Sequence, residues 1–174
     1  PPKEERGYKE SPTQEDVKRV KNALLKAKRP VNIAGQGIRL SHAIREFRSF
    51  IEKNQIPVVV SRLGFGLLPT DHPLYVGCIG NKGTRAGNFA VQNADLIIAI
   101  GSRLSVSTTG HEYSIFAREA KVIVVDIDPI EHKKNTVRID LFINADAKKF
   151  LQKISSSKIN RLEEWTTKCK EWKH

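Results

Sequence analysis

The residues that could do chemistry fall into four short groups, each at the end of an apolar run. Gly35 and Gly37 follow Val31-Asn32-Ile33-Ala34, and Ser61 and Arg62 follow Pro57-Val58-Val59-Val60. Gly101-Ser102-Arg103 follows Leu96 to Ile100, and Asp126 and Asp128 follow Val122 to Val125. Glycine lets the backbone turn sharply and come close to a ligand. Main-chain N–H groups at such turns suit phosphates, arginine adds positive charge, and a carboxylate suits ribose hydroxyls. Together these types suit an extended nucleotide. They equally suit plain core strands that end in glycine turns beside a solvated arginine.

The elements that must position these groups are legible from the pattern. Leu96 to Ile100 is unbroken, rich in β-branched residues and too short to span a membrane, which suits a strand buried on both faces of a parallel sheet. Val31–Ala34, Pro57–Val60, Val122–Val125 and the short Leu141–Ile143 run read in the same way. Between them lie helical stretches. Thr13, with Asp16 in the capping-box position, starts the first, which buries Val17, Val20, Leu24 and Leu25 and stops at Pro30. Ser41 is expected to cap a second that carries Ala43, Ile44, Phe47, Phe50 and Ile51 on its inner face. Residues 67–83 read as irregular, Arg85–Asn93 as a third helix, and Ser114–Arg118 as a helical turn. A further helix is expected over Asp146–Ile154, then a break at Ser155-Ser156-Ser157. A polar helix over residues 160–173 should bring Trp165 and Trp172 to one face.

Strands alternating with helices define the expected fold: α/β, three-layer, a Rossmann-like parallel sheet of about five or six strands with helices on both faces. Right-handed crossovers then put the four groups along one sheet edge, where open α/β sheets hold ligands. The expected organisation is an N-terminal linker (1–12), a nucleotide-fold domain (13–155) and a C-terminal linker helix (156–174).

Bulk properties narrow the function classes. The chain has 174 residues and a formal net charge of +11. Residues 31–145 hold thirteen Lys/Arg against ten Asp/Glu, so most of the excess sits in the two ends. With no aromatic-interleaved basic stripe, the ends read as solvated arms and no nucleic-acid partner is expected. No apolar run reaches the length of a membrane helix, so no membrane partner is expected either. Cys78 and Cys169 lie far apart and read as free thiols of a cytoplasmic protein. The absence of any methionine suggests a piece of a longer polypeptide.

Specific motifs are incomplete. The third glycine of a dinucleotide fingerprint falls at Leu40, and Ser61-Arg62 stands where an NAD enzyme needs a ribose carboxylate, which disfavours ordinary NAD binding. The histidines at 42, 72, 111, 132 and 174 include no pair at metal-ligand spacing. No nucleophile elbow and no catalytic constellation is present.

Taken in order, the motifs resemble the central domain of thiamine-diphosphate-dependent enzymes of the acetolactate synthase type. The resemblance rests on Ala27-Lys28-Arg29-Pro30-Val31 leading into Ala34-Gly35-Gln36-Gly37, and on Ile56-Pro57-Val58-Val59 with Gly64-Phe65-Gly66. It continues through Pro69-Thr70-Asp71-His72-Pro73-Leu74, Gly77-Cys78-Ile79-Gly80, Ala94 to Arg103, and Asp126-Ile127-Asp128-Pro129. It implies a middle domain of an enzyme that forms or cleaves carbon–carbon bonds of 2-oxo acids. Thiamine diphosphate and magnesium would be held by other domains of the same enzyme, in a homo-oligomer of the parent. This domain would itself be non-catalytic, structural and able to bind FAD through Gly35, Gly37, Ser61, Arg62, Gly101, Ser102, Arg103, Asp126 and Asp128. Lys82, Ser105-Val106-Ser107 and Ala145 depart from the family pattern, which implies an altered substrate choice. A stand-alone FAD or NAD binding module is the other reading.

Overall fold

A computed structural model describes residues 11–155 and 162–173. Residues 1–10 of the expected 1–12 linker, and Ser156 and Ser157 of the expected Ser155-Ser156-Ser157 break, lie outside the described residues.

Helix α1 (Gln14–Lys26) starts as its sequence requires: the Thr13 side chain accepts from the Asp16 N–H, and the Asp16 carboxylate accepts from the Thr13 N–H. Strand β1 (Pro30–Ala34) follows, then a single turn α2 (Gly37–Leu40) and helix α3 (Ile44–Asn54). Ser41 does not cap α3. It closes α2, and Ala43 is the cap residue of α3 without a side-chain hydrogen bond. Strand β2 (Val58–Val60) precedes a strand absent from the sequence reading, β3 (Tyr75–Cys78). Helix α4 (Arg85–Gln92) is capped by the Thr84 hydroxyl, which accepts from the Gly87 N–H. Then come β4 (Leu96–Ile100), the short α5 (Val106–Thr109), β5 (Lys121–Asp126), β6 (Leu141–Asn144), α6 (Ala147–Ile154) and α7 (Glu163–Glu171).

The six strands form one parallel sheet in the order β3-β2-β1-β4-β5-β6. That is the order of a doubly wound dinucleotide-binding sheet, with its switch point between β1 and β4. Every residue of β1, β2, β3 and β4 is buried, as a sheet covered on both faces demands. Alternation divides the strands between two cores. Leu96, Ile98 and Ile100 face α1, α3 and α6, whose Leu24, Phe47, Phe50 and Phe150 form the larger core. Ile97 and Ala99 face α4 and α7, with Ala90, Val91, Phe116 and Trp165. The result is the expected three-layer, Rossmann-like α/β fold.

The amino edge of the sheet is pinned. The Asp95 carboxylate, at the entry of β4, accepts from the Lys28 and Arg29 N–H groups at 2.8 and 2.9 Å. Trp165 of α7 donates its indole N–H to the Pro30 carbonyl at 2.9 Å, and its ring meets Trp172 edge-on at 5.7 Å. These contacts fix where β1 and β4 begin, and so where they end.

Candidate functional site

Strand register places the sequence-selected residues in one row. Ala34 is level with Val60 and with Ile100, and Ile100 is level with Val125. The next residues along, Gly35, Ser61, Gly101 and Asp126, therefore sit side by side at the carboxyl edge, in the spatial order Ser61, Gly35, Gly101, Asp126. Three interstrand spacings of ~4.8 Å make this row roughly 14 Å long. Arg62 and Arg103 extend from its loops, and both are exposed.

The glycines let two loops touch. A Cβ on Gly35 would stand 2.1 Å from the Gly101 carbonyl oxygen, and one on Gly37 would stand 2.6 Å from the Gly101 Cα. Gly101 itself has φ +58°, a conformation that side chains resist. The Gly35 N–H donates to the Ile100 carbonyl and the Gly37 N–H to the Gly101 carbonyl, both at 2.9 Å. Those two amides are thus committed to the switch point itself. Gly35, Gly37 and Gly101 shape the edge by backbone packing.

Charge is offered around that packed centre. Arg103 is 70% exposed, and its nearest acid is Glu131, with Nε to Oε2 at 4.0 Å. Among the described residues Arg62 makes no ion pair. Asp126, with a side chain 11% exposed, uses Oδ1 to accept the Asp128 N–H at 2.9 Å, while Oδ2 faces His132 Nε2 at 3.5 Å. Asp128 is occupied by its own loop, where Oδ1 accepts from the Ile130 and Glu131 N–H groups at 3.0 and 3.3 Å. Of the two aspartates, Asp126 keeps the more available oxygen. Ser61 and Ser102 are buried beside their arginines.

Sequence reading missed His132, Glu131 and Leu104. His132 and Glu131 reach the site through the loop between β5 and β6, six and five residues beyond Asp126, a spacing with no recognisable signature. Leu104 is buried and left-handed, with φ +47°, and turns the chain after Arg103. Among the described residues no nucleophile emerges. Burial pushes the Cys78 thiol up from its ordinary range, outweighing the opposite effect of the backbone at Ile79, and pushes Cys169 up to about 12. Both thiols stay protonated and unreactive near neutral pH.

The edge also carries exposed apolar side chains. Leu40 at the end of α2, together with Leu63, Phe65, Ile127 and Ile130 in the segments after β2 and β5, is exposed there. Arg39 supports part of this surface by donating to the Leu63 and Phe65 carbonyls. Among the described residues, no three His, Cys, Asp or Glu side chains group to hold a metal ion, and no helix is long and apolar enough to cross a membrane.

Sheet order defines a doubly wound, Rossmann-like α/β domain. Comparison with known sequences narrows this further: the family described as thiamine pyrophosphate enzyme, central domain, matches residues 17–154, and the chain belongs to that family. It is 42% identical over 143 residues to a probable acetolactate synthase large subunit of Methanocaldococcus jannaschii, covering 82% of this chain and 24% of that protein. It is 39% identical over 162 residues to the acetolactate synthase large subunit of Buchnera aphidicola subsp. Acyrthosiphon pisum, covering 90% and 28%. The isozyme 2 large subunit of Escherichia coli K12 is 38% identical over 119 residues, covering 68% and 22%. The chain thus spans about a quarter of the length of the curated relatives it matches.

Proposed function

We propose that this chain is the scaffold domain of a thiamine-diphosphate-dependent enzyme that forms or cleaves carbon–carbon bonds of 2-oxo acids. In this reading its carboxyl edge holds the adenosine diphosphate half of FAD. The parent's reaction would draw on the thiamine diphosphate ylid, a cofactor chemistry for which the protein supplies placement and electrostatics. Among the described residues no three His, Cys, Asp or Glu side chains group where a magnesium ion could sit. Other domains of the same enzyme are the proposed holders, and the exposed Leu40, Leu63, Phe65, Ile127 and Ile130 the surface on which they or the flavin rest.

FAD fits the edge in its adenosine half. Asp126 Oδ2, approached by His132 Nε2 at 3.5 Å, can accept a ribose hydroxyl. Arg103 projects from the neighbouring strand end, where a diphosphate attached to that ribose would lie, and Arg62 with Ser61 stands at the far end of the row. Gly35, Gly37 and Gly101 contribute by keeping the loops low, so that an extended ligand can cross the switch point. Asp128 contributes by fixing the Asp126 loop. The observation that carries the reading is the row Ser61–Gly35–Gly101–Asp126, flanked by exposed arginines, in a chain of this family.

Flavin fluorescence titrations test it. FAD should bind and riboflavin, which lacks the adenosine diphosphate, should not. Arg103→Ala should weaken FAD about tenfold or more, as loss of a charge-assisted contact does. Equal binding of FAD and riboflavin, or an Arg103→Ala titration matching the unaltered chain, would refute the assignment.

A further inference from the structure

His132 is unexplained by the fold. Its side chain is 3% exposed, yet among the described residues Nε2 has no hydrogen-bond partner. Burying an imidazole nitrogen unpaired is unfavourable, and an apolar residue would fill the same space without that cost. The ring is also well placed. It lies tilted on Phe142 of β6, with centroids 5.1 Å apart and planes at 35°, and Nε2 lies 3.5 Å from Asp126 Oδ2. That gap exceeds a good N–H···O bond by about 0.5 Å, so a small rotation of the carboxylate closes it. A cavity of about 210 Å³ opens beside His132, with Arg103, Tyr113, Glu131 and Lys134 also on its wall.

We propose that His132 is a positioning residue for Asp126 and sets a preference for ribonucleotides. The proposal rests on the nucleotide reading above. The Asp128 N–H holds Oδ1 from below, and the His132 Nε2–H closes on Oδ2 once a ligand enters. Pinned at both oxygens, the carboxylate presents its remaining lone pairs to the ribose hydroxyls in one orientation. A site built around such an acceptor discriminates against the analogue that lacks the hydroxyl, because the carboxylate is then left underused in a partly buried place. His132 makes no contact with the reacting chemistry and acts only through Asp126.

The test compares ADP with 2′-deoxy-ADP by calorimetry on the full chain, alone and in three variants, with thermal melts as a check on folding. The unaltered chain should prefer ADP by about tenfold or more, the factor that one hydrogen bond to a charged group supplies. Asp126→Asn should abolish most of that preference. His132→Phe keeps a ring against Phe142 without the nitrogen and should reduce the preference to within about threefold of Asp126→Asn. His132→Gln, which restores a donor, should recover it. If His132→Phe does not fold, His132→Leu takes its place. A preference undiminished in His132→Phe or His132→Leu, while Asp126→Asn loses it, overturns the role of His132 and leaves the nucleotide site standing. No ADP binding by the unaltered chain, or full preference in Asp126→Asn, overturns the site and the inference with it.

Discussion

Asn32 offers the sharpest test of how the sheet is built. It lies in the middle of β1, level with Val58 on one side and Ile98 on the other. Both neighbours belong to the core formed with α1, α3 and α6. Asn32 is 0% exposed, and among the described residues neither its amide nitrogen nor its amide oxygen has a partner. Leaving buried polar atoms unpaired costs about 1–3 kcal/mol, whereas a β-branched residue suits a central strand. Asn32→Val should therefore raise stability by about 1–2 kcal/mol after some loss to the bulkier side chain. At about 2–4 °C per kcal/mol for a chain of this size, the melting temperature should rise by about 2–8 °C. Urea unfolding should show a higher midpoint with an unchanged slope, the mark of altered stability rather than altered compactness. Asn32→Asp, which puts a carboxylate in the same place, should be strongly destabilising. A valine variant that melts below the unaltered chain would refute the reasoning. It would mean that the amide is satisfied, for example by a buried water.

Three further outcomes follow from the same geometry. Gly101→Ala places a methyl 2.6 Å from the Gly37 Cα at φ +58°; it should cost about 2 kcal/mol or more, and unchanged thermal melting would contradict the loop contact. Asp95→Asn weakens the bonds from the Lys28 and Arg29 N–H groups and should lower stability by about 1–2 kcal/mol in urea titrations. Cys169, raised by burial from 9.0 to about 12, binds its proton more tightly folded than unfolded. Its contribution to stability should be complete below pH 9 and fall as pH rises toward about 12. Native-state thiol labelling at pH 8 should accordingly be slow and become fast on unfolding; rapid labelling of Cys169 would contradict its burial.

Legibility in the sequence tracks the range of the forces involved. The Thr13–Asp16 capping box and the Leu96–Ile100 strand depend on neighbours in the chain, so spacing alone revealed them. Strand β3 was hidden because Gly77, at φ +150°, interrupts its four residues. Gly77 is there for α4, since a Cβ would meet Thr84 Oγ1 at 2.0 Å. The second helix began later than Ser41 because Gly37–Leu40 forms its own turn and His42 is left-handed at φ 54°. At the carboxyl edge, glycine spacing showed that the backbone comes close to something. It did not show that Gly35 and Gly37 meet Gly101, a contact that exists only because β1 and β4 are neighbours. His132 gave no signal, because its partner is fixed by the fold of one loop.

The most direct measurement is a titration of the isotopically labelled full chain with FAD, followed residue by residue through its backbone amide resonances. The account predicts shifts at Ser61, Arg62, Ser102, Arg103 and Asp126, with Lys28, Arg29 and Asp95 at the opposite edge unmoved. Shifts confined to the amino edge, or none at FAD concentrations far above those of a specific site, would contradict it.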